Sequence, residues 1–121
     1  MPDPSERRNY TRVNVSGEHT VRFYLGERSI TGLTMTNLSA GGCCFQVPAA
    51  QSEGMVKGAR VSRLYLVHPS IPSTPLSATI CWLMGRQPGR TEGVLLVGLE
   101  FTDANPPFQE TLDAYVQGLL G

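Results

Sequence analysis

Three arginines near the start of the chain could bind an anionic ligand. Arg7, Arg8 and Arg12 lie in the stretch ERRNYTRV, where little apolar material surrounds them. Guanidinium groups bind phosphate in a bidentate manner, pair with the O6 and N7 edge of guanine, and stack on flat rings. An Arg-x-x-x-Arg pair on an extended segment could therefore close over a ligand and hold it against a rigid surface. The spacing is common, and a solvated polar tail would explain it equally well.

A second group of polar residues, NLSAGG at positions 37–42, ends a predicted strand. Asn37 and Ser39 are two apart, so their side chains point the same way while the leucine between them faces the core. An amide beside a hydroxyl can read the polar edge of a purine. Gly41 and Gly42 permit a close approach of backbone and ligand, or a positive φ. An ordinary Asx-type turn between two strands is the structural alternative.

Cysteine and tryptophan are the other residue types that could take part in a site. A zinc site is disfavoured because the adjacent Cys43 and Cys44 point to opposite faces of a strand and no Cys-x-x-Cys pair exists. The chain also lacks an activated nucleophile, so we expect buried thiols, no metal and no catalysis. Trp82 is expected to pack in the core or at its rim, with ligand contact as a secondary role.

Length and composition limit the classes of protein to which the chain can belong. With 121 residues, 40% of them hydrophobic and 17% charged, the sequence is typical of one globular domain. Ten basic and ten acidic residues give a net charge of zero, which disfavours binding to nucleic acid through a general electrostatic field.

No apolar run could span a bilayer and no secretory signal precedes the domain, so we expect no membrane insertion and a cytoplasmic location. Three cysteines, an odd number, fit a reducing compartment.

Alternation of apolar and polar residues predicts six strands. They cover residues 19–25, 28–38, 43–47, 59–68, 76–84 and 93–101. In the second strand Ile30 is out of phase with Leu33, and Gly32 between them indicates a bulge. In the fifth, the even-numbered residues from Leu76 to Met84 are predicted to share one face.

The last segment has helical spacing instead. Asn105 can cap a helix and Pro106 suits its first position, so the sequence predicts a helix over about 105–120. Its apolar residues recur at Phe108, Leu112, Tyr115, Val116 and Leu119. Six short strands and one helix indicate an all-β fold with a C-terminal helix, arranged as a six-stranded antiparallel β-barrel. Residues 1–14 are predicted to be a flexible arm and 15–121 the barrel domain.

Taken together, the two polar motifs resemble the PilZ domain family. The chain has RRxxxR followed by NxSxxG, Trp82 near the end of a late strand, and VGLEF at residues 97–101. The resemblance covers essentially the whole chain. It implies a six-stranded barrel with a C-terminal helix that acts as a bacterial receptor for the second messenger cyclic di-GMP.

The resemblance also implies a role for each motif residue. Arg8 and Arg12 would hold ligand phosphates and guanine faces, and Asn37 and Ser39 would hydrogen-bond a guanine edge. Gly42 would let the base lie against the barrel, with Gly41 and Trp82 as secondary contacts. Arg7 resembles the extra arginine of members that take a stacked ligand pair, so two ligands per chain are expected. Asn37 stands where the family more often has aspartate, which bears on affinity.

The functional prediction is a cytoplasmic cyclic di-GMP receptor that is not an enzyme and uses no cofactor. Its arginine arm would become ordered on the dinucleotide, and the changed surface would signal to an effector protein in trans. A stacked ligand pair could bridge two chains, so a homodimer is one expected assembly. The alternative is a PilZ-like protein-interaction module that does not bind cyclic di-GMP. A small barrel for single-stranded nucleic acid is disfavoured, because most of the aromatic residues fall on the buried faces of the strands and the net charge is zero.

Overall fold

The structure of the protein, a computed structural model, describes residues 10–15, 17–85 and 93–120. In chain order its elements are β1 (Val13–Asn14), β2 (Thr20–Leu25), β3 (Arg28–Ser39), β4 (Gly42–Pro48), β5 (Arg60–Val67), β6 (Leu76–Met84), β7 (Val94–Phe101) and α1 (Pro106–Leu119). Most of the predicted arm, including Arg7 and Arg8, lies outside the described residues.

Strands β2 to β7 close into an antiparallel barrel in the order β3-β2-β5-β6-β7-β4, with β4 pairing back onto β3. Closure depends on the length of β3, because its first part pairs with β2 and its last part, Met35 to Ser39, pairs with β4. Strand β1 joins the last part of β3 through the pairs Val13–Leu38 and Asn14–Asn37. The predicted fold class, an all-β six-stranded antiparallel barrel with one C-terminal helix, is confirmed.

The apolar faces of β2, β4 and β7 fill the barrel, as the alternation predicted. The inward residues of β2, β4 and β7 are all buried: Val21, Phe23, Cys43, Phe45, Val47, Leu95, Val97, Leu99 and Phe101. Met55, in the connection between β4 and β5, is fully buried as well. Local alternation therefore identifies the walls of the core but not the loop residue that is buried with them.

The bulge predicted at Gly32 is present. Ile30 and Leu33 of β3 pair with Phe23 and Val21 of β2, respectively. Two residues of β3 therefore lie between these pairs, but only one residue of β2 does. Gly32 takes up the extra residue with a φ of 71°, a left-handed conformation that glycine adopts without a steric penalty. The bulge returns Leu33 to the core after Ile30.

The predicted alternation of β6 is wrong after Ile80. A register shift places Trp82 opposite Gly98, while Ile80 pairs with Leu99, so β6 has one more residue than β7 at this point. Trp82 is consequently 37% exposed and Met84 62% exposed, outside the barrel. Leu83 packs against the core in their place. Strand β6 contains no glycine at this bulge, so the bulge could not be predicted from the sequence.

Helix α1 begins where the sequence predicted. The side chain of Asn105 accepts a hydrogen bond from the Phe108 amide at 2.9 Å, and proline occupies the first helical turn. Phe108, Leu112 and Val116 are buried, whereas Leu119, predicted on the same apolar face, is exposed.

A histidine–tyrosine cluster connects the helix to the barrel. Tyr115 Oη of α1 lies 2.6 Å from His19 Nε2, which precedes β2. The His68 ring, after β5, stacks on the His19 ring with 4.2 Å between centroids. The helix is thus attached by polar contacts as well as by its buried face.

Replacing Asn105 by alanine should lower the free energy of unfolding by about 1 kcal/mol, because the first turn loses the acceptor for its amide. Urea denaturation followed by circular dichroism would measure the loss. Asn105→Ser is the matched control, since a serine hydroxyl can accept the same hydrogen bond. Equal losses in the two variants would contradict the capping role.

Candidate functional site

The two sequence motifs meet where β1 pairs with the end of β3. Arg12, immediately before β1, donates a hydrogen bond of 2.6 Å from Nη1 to Asn37 Oδ1. The same Nη1 lies 3.6 Å from Cys44 Sγ on β4. The β1 pairing with Leu38 and Asn37 is what brings the arginine to the amide.

Ser39 shapes the turn between β3 and β4. Its side chain is buried, and its Oγ accepts a hydrogen bond from the Gly41 amide at 3.2 Å and donates one to the Gly42 carbonyl at 3.4 Å. This is the local side-chain-to-backbone bonding typical of serine in turns. The hydroxyl therefore has a structural function at the position where the family motif implies a guanine contact.

The two glycines of the turn face different surroundings. A Cβ on Gly42 would lie 2.2 Å from the carbonyl oxygen of Leu99, so a glycine is needed for β4 to approach β7. A Cβ on Gly41 would instead lie 3.3 Å from the ring of Tyr10. Gly41, ranked from the sequence as a secondary contact, is the glycine that borders the open cleft beside Arg12.

That cleft has a volume of about 270 Å³ and opens between the segment before β1, the β3–β4 turn, β6, β7 and α1. Its lining includes three residues not predicted from the sequence, namely Tyr10, Glu100 and Gln109. Tyr10 Oη donates to Gln109 Oε1 at 3.5 Å, which links the N-terminal segment to the helix. Tyr10 lies inside the RRxxxR motif, so its position could have identified it as a candidate site residue. No sequence pattern singles out Gln109.

Trp82 lies on the outer wall near this cleft. A Cβ on Gly98 would come within 2.3 Å of the indole Cε2 and Nε1, so the indole packs directly against the glycine. Gly98 also pairs with Cys44, the residue that contacts Arg12. Gly98 belongs to the VGLEF stretch, and its role is to leave room for the tryptophan.

Three thiols lie in or beside the site, and burial raises the pKa of each. The pKa of Cys43, inside the barrel, is raised most strongly. Burial also raises the pKa of Cys44, while hydrogen bonding to Asn37 and the charge of Arg12 oppose that rise. For Cys81, which lines the cleft, burial and the Glu100 carboxylate raise the pKa. These thiols are protonated near neutrality, as expected of cysteines that pack as small apolar groups.

Alkaline conditions should therefore destabilise the fold. Above the ordinary thiol pKa of 9.0 the unfolded chain loses protons that the folded chain keeps, so stability falls as pH rises further. For Cys43 the free energy of unfolding should fall by up to about 1.4 kcal/mol per pH unit, because unfolding releases one proton from this thiol. Urea unfolding at a series of pH values would test this, and Cys43→Ala should flatten the dependence. An unchanged slope in that variant would contradict the assignment.

Within residues 10–15, 17–85 and 93–120, no group of three His, Cys, Asp or Glu side chains could hold a metal ion. None of the helices described for this chain is long and apolar enough to cross a membrane.

Residues 6–118 match the family model of the PilZ domain. The chain therefore belongs to the PilZ domain family, as its two motifs indicated. No curated protein matches it by sequence.

Solved PilZ structures share the fold at low sequence identity. The PilZ domain of YcgR from Escherichia coli with c-di-GMP has a TM-score of 0.74 and 16% identity, over 94% of this chain and 92% of that one. The Bacillus subtilis inhibitor of motility MotI/DgrA has a TM-score of 0.70 and 20% identity, over 99% and 56%. The K. pneumonia MrkH–c-di-GMP complex has a TM-score of 0.74 and 11% identity, over 93% and 52%. The chain thus spans about half the length of MotI and MrkH.

Proposed function

We propose that the protein is a receptor for cyclic di-GMP. The observation that carries the proposal is the contact of 2.6 Å between Arg12 and Asn37, one residue from each family motif. The contact lies beside an open cleft of about 270 Å³. PilZ structures of the same fold, from YcgR and MrkH, were solved with c-di-GMP bound.

The Arg12–Asn37 hydrogen bond suggests how a ligand would be taken up. Asn37 Oδ1 accepts from Arg12, and it is also the atom that could accept from the N1–H or N2–H of guanine. A guanine edge that replaces the guanidinium would release Arg12 to bind a phosphate or stack on a base. Ligand binding would thus replace the Arg12–Asn37 hydrogen bond by one contact of Asn37 with guanine and one of Arg12 with a phosphate or base.

The remaining arginines extend the proposal to the whole N-terminal arm. Arg8 would complete the grip on the phosphates, and Arg7 would face a second guanine plane, which gives two ligands per chain. A dissociation constant near 1 μM corresponds to about 8 kcal/mol, and charge-assisted contacts supply roughly 1.5 to 3 kcal/mol each. Several contacts must form, because ordering the arm costs roughly 1 to 2 kcal/mol per residue.

The receptor would act by changing its surface and would carry out no reaction. Ligand-induced ordering of the arm would create or cover a surface for an effector protein in trans, in the cytoplasm. A ligand pair shared between two arms would also join two chains as a homodimer.

A second candidate, an interaction module without ligand, is favoured by one observation. Ser39 stabilises its own turn, and Gly42 is required by the approach of β4 to Leu99. Barrel packing alone would therefore retain both residues. Arg12 and Asn37 distinguish the two candidates, since neither is needed to close the barrel.

Calorimetric titration of cyclic di-GMP into the purified chain tests the receptor directly. We expect saturable binding with a ligand-to-chain ratio near two, about tenfold weaker in Asn37→Ala. Thr34→Ala, an exposed change on the same strand, is the matched control and should bind normally. Cyclic di-AMP, which lacks the guanine N1–H and N2–H donors, should bind poorly. Absence of saturation at high micromolar ligand would overturn the receptor and favour the interaction module, whereas a ratio of one would overturn only the ligand pair.

A further inference from the structure

The outer face of β2 and β5 carries two arginine–tyrosine pairs in cation–π contact. Arg22 Cζ lies 4.2 Å from the centroid of the Tyr65 ring, and Arg63 Cζ lies 5.5 Å from that of Tyr24. With two hydroxyl residues of β3 and Phe23 they line a shallow concavity of about 210 Å³. We call this surface the arginine–tyrosine face and define it by Arg22, Tyr24, Ser29, Thr31, Arg63 and Tyr65.

The charge on this face is of one sign although the chain as a whole is neutral. Strands β2, β3 and β5 contain four arginines and neither aspartate nor glutamate. The acidic residue near Arg22 is Glu18, whose carboxylate lies 3.6 Å from His68 Nε2. A cationic face on a neutral chain favours an anionic partner of matching shape over non-specific attraction of polyanions.

The ring contacts leave both guanidinium groups able to bind carboxylates. A cation–π contact uses none of the N–H donors of the guanidinium, so these donors remain for a planar acceptor. The ring also fixes the side chain, so less rotamer freedom is lost on binding. Carboxylates accept from such a fork in a bidentate manner, and Ser29 and Thr31 add hydroxyl donors beside it.

Arg63 occupies a backbone position that does not favour arginine. The residue lies in a bulge of β5 and has a φ of 48°. At this bulge β5 has one residue more than each of its neighbours, β2 and β6. The bulge keeps Val61 and Leu64 both inside the barrel and turns Arg63 outward. Glycine or asparagine would adopt this left-handed conformation at lower cost. The register of β5 against its two neighbours therefore explains the bulge but not the choice of arginine at this position.

We propose that the arginine–tyrosine face binds an acidic, extended segment of a partner protein through its carboxylates. Strands β2 and β5 each have a hydrogen-bonded neighbour on both sides, so recognition runs through side chains and not through strand addition. Nucleic acid fits less well, because each tyrosine ring on which a base would stack already has a guanidinium over it.

The face and the ligand cleft share no lining residue, although β3 contributes Ser29 and Thr31 to the face and Ser39 to the cleft. Strand β2 is three strands from β7, which lines the cleft, in either direction around the barrel. Partner and nucleotide could therefore be bound together. The partner site does not depend on the proposed ligand.

A peptide titration followed by amide chemical shifts tests the proposal. The probe is a synthetic peptide of alternating glutamate and glycine, about ten residues long, which spans the face when extended. At low salt, about 50 mM, we expect shift changes to cluster on β2 and β5. The matching glutamine–glycine peptide should leave the spectrum unchanged. Shifts centred on the Arg12 cleft, or spread over the surface, would overturn the assignment.

Two variants separate binding from folding. Arg22→Gln and Arg63→Asn should each weaken the peptide about fivefold, the effect of one lost ion pair. Arg63→Asn should not lower the thermal midpoint, since asparagine tolerates the left-handed backbone. Lys57→Gln, which removes an exposed cation outside the face, is the matched control.

Two further outcomes decide between partners and between proposals. A short oligothymidine that produced the same shifts with higher affinity than the peptide would overturn the acidic-protein partner. Cyclic di-GMP titrations of the two face variants should match the unmodified chain. Variants that lose peptide binding but still bind the nucleotide thus support the arginine–tyrosine face as a separate binding site. Failure of the peptide to bind would not bear on the receptor proposal, and failure of the nucleotide to bind would not bear on the face.

Discussion

Replacing Gly42 by alanine should lower the free energy of unfolding by about 3 kcal/mol, the upper range for overpacking a well-filled site. The new methyl group would lie 2.2 Å from the Leu99 carbonyl oxygen, which belongs to the backbone of β7 and cannot rotate away. Strands β4 and β7, paired from Gly42–Glu100 to Pro48–Val94, would have to separate at one end. Urea denaturation followed by circular dichroism would measure the loss.

Gly98→Ala is the matched control for that experiment. Its Cβ would meet the Trp82 indole at 2.3 Å, an equally close approach. The indole is the end of a partly exposed side chain, so it can turn outward, and the cost should stay below about 1 kcal/mol. If both alanines destabilised the barrel equally, backbone crowding at Gly42 would not be the cause.

Arg12→Ala should weaken cyclic di-GMP binding about a hundredfold. On the proposed function, Arg12 leaves Asn37 to contact the ligand, and two charge-assisted contacts at roughly 1.5 kcal/mol each give that factor. Arg12→Lys should recover part of the affinity, since it keeps the charge but not the planar fork. Calorimetric titration would measure all three proteins.

Arg60→Ala removes an exposed arginine from β5 and serves as the control for loss of one positive charge. Its affinity for the nucleotide should equal that of the unmodified chain. Equal weakening in Arg12→Ala and Arg60→Ala would mean that only net charge matters. Unfolding curves of both variants would show whether a loss of fold is the reason for weaker binding.

The barrel could be predicted because its alternation is local. On β7 the residues Leu95, Val97, Leu99 and Phe101 point inward without interruption, as their spacing requires. Prediction from alternation fails at a bulge, where one strand has an extra residue. The position of that residue depends on pairing with a strand that is distant in sequence. The bulge in β3 was visible because it uses Gly32, but the one before Trp82 carries no such mark.

The candidate residues could be named from the sequence, but their arrangement could be predicted only in part. The two motifs together singled out Arg12 and Asn37, and the structure brings them to 2.6 Å. Sequence could not distinguish Gly41 from Gly42, because their surroundings come from Tyr10 and β7 respectively. The share of the cleft contributed by Gln109 depends on where α1 packs, which no local pattern specifies.

The packing of Trp82 gives the protein an optical probe of its own. It is the single tryptophan of the chain, and its indole rests on Gly98, whose pairing partner Cys44 contacts Arg12. Fluorescence emission from an indole that is 37% exposed responds to changes in its hydration and its neighbours. Events at the cleft can therefore be followed in the unlabelled chain, at concentrations too low for calorimetry.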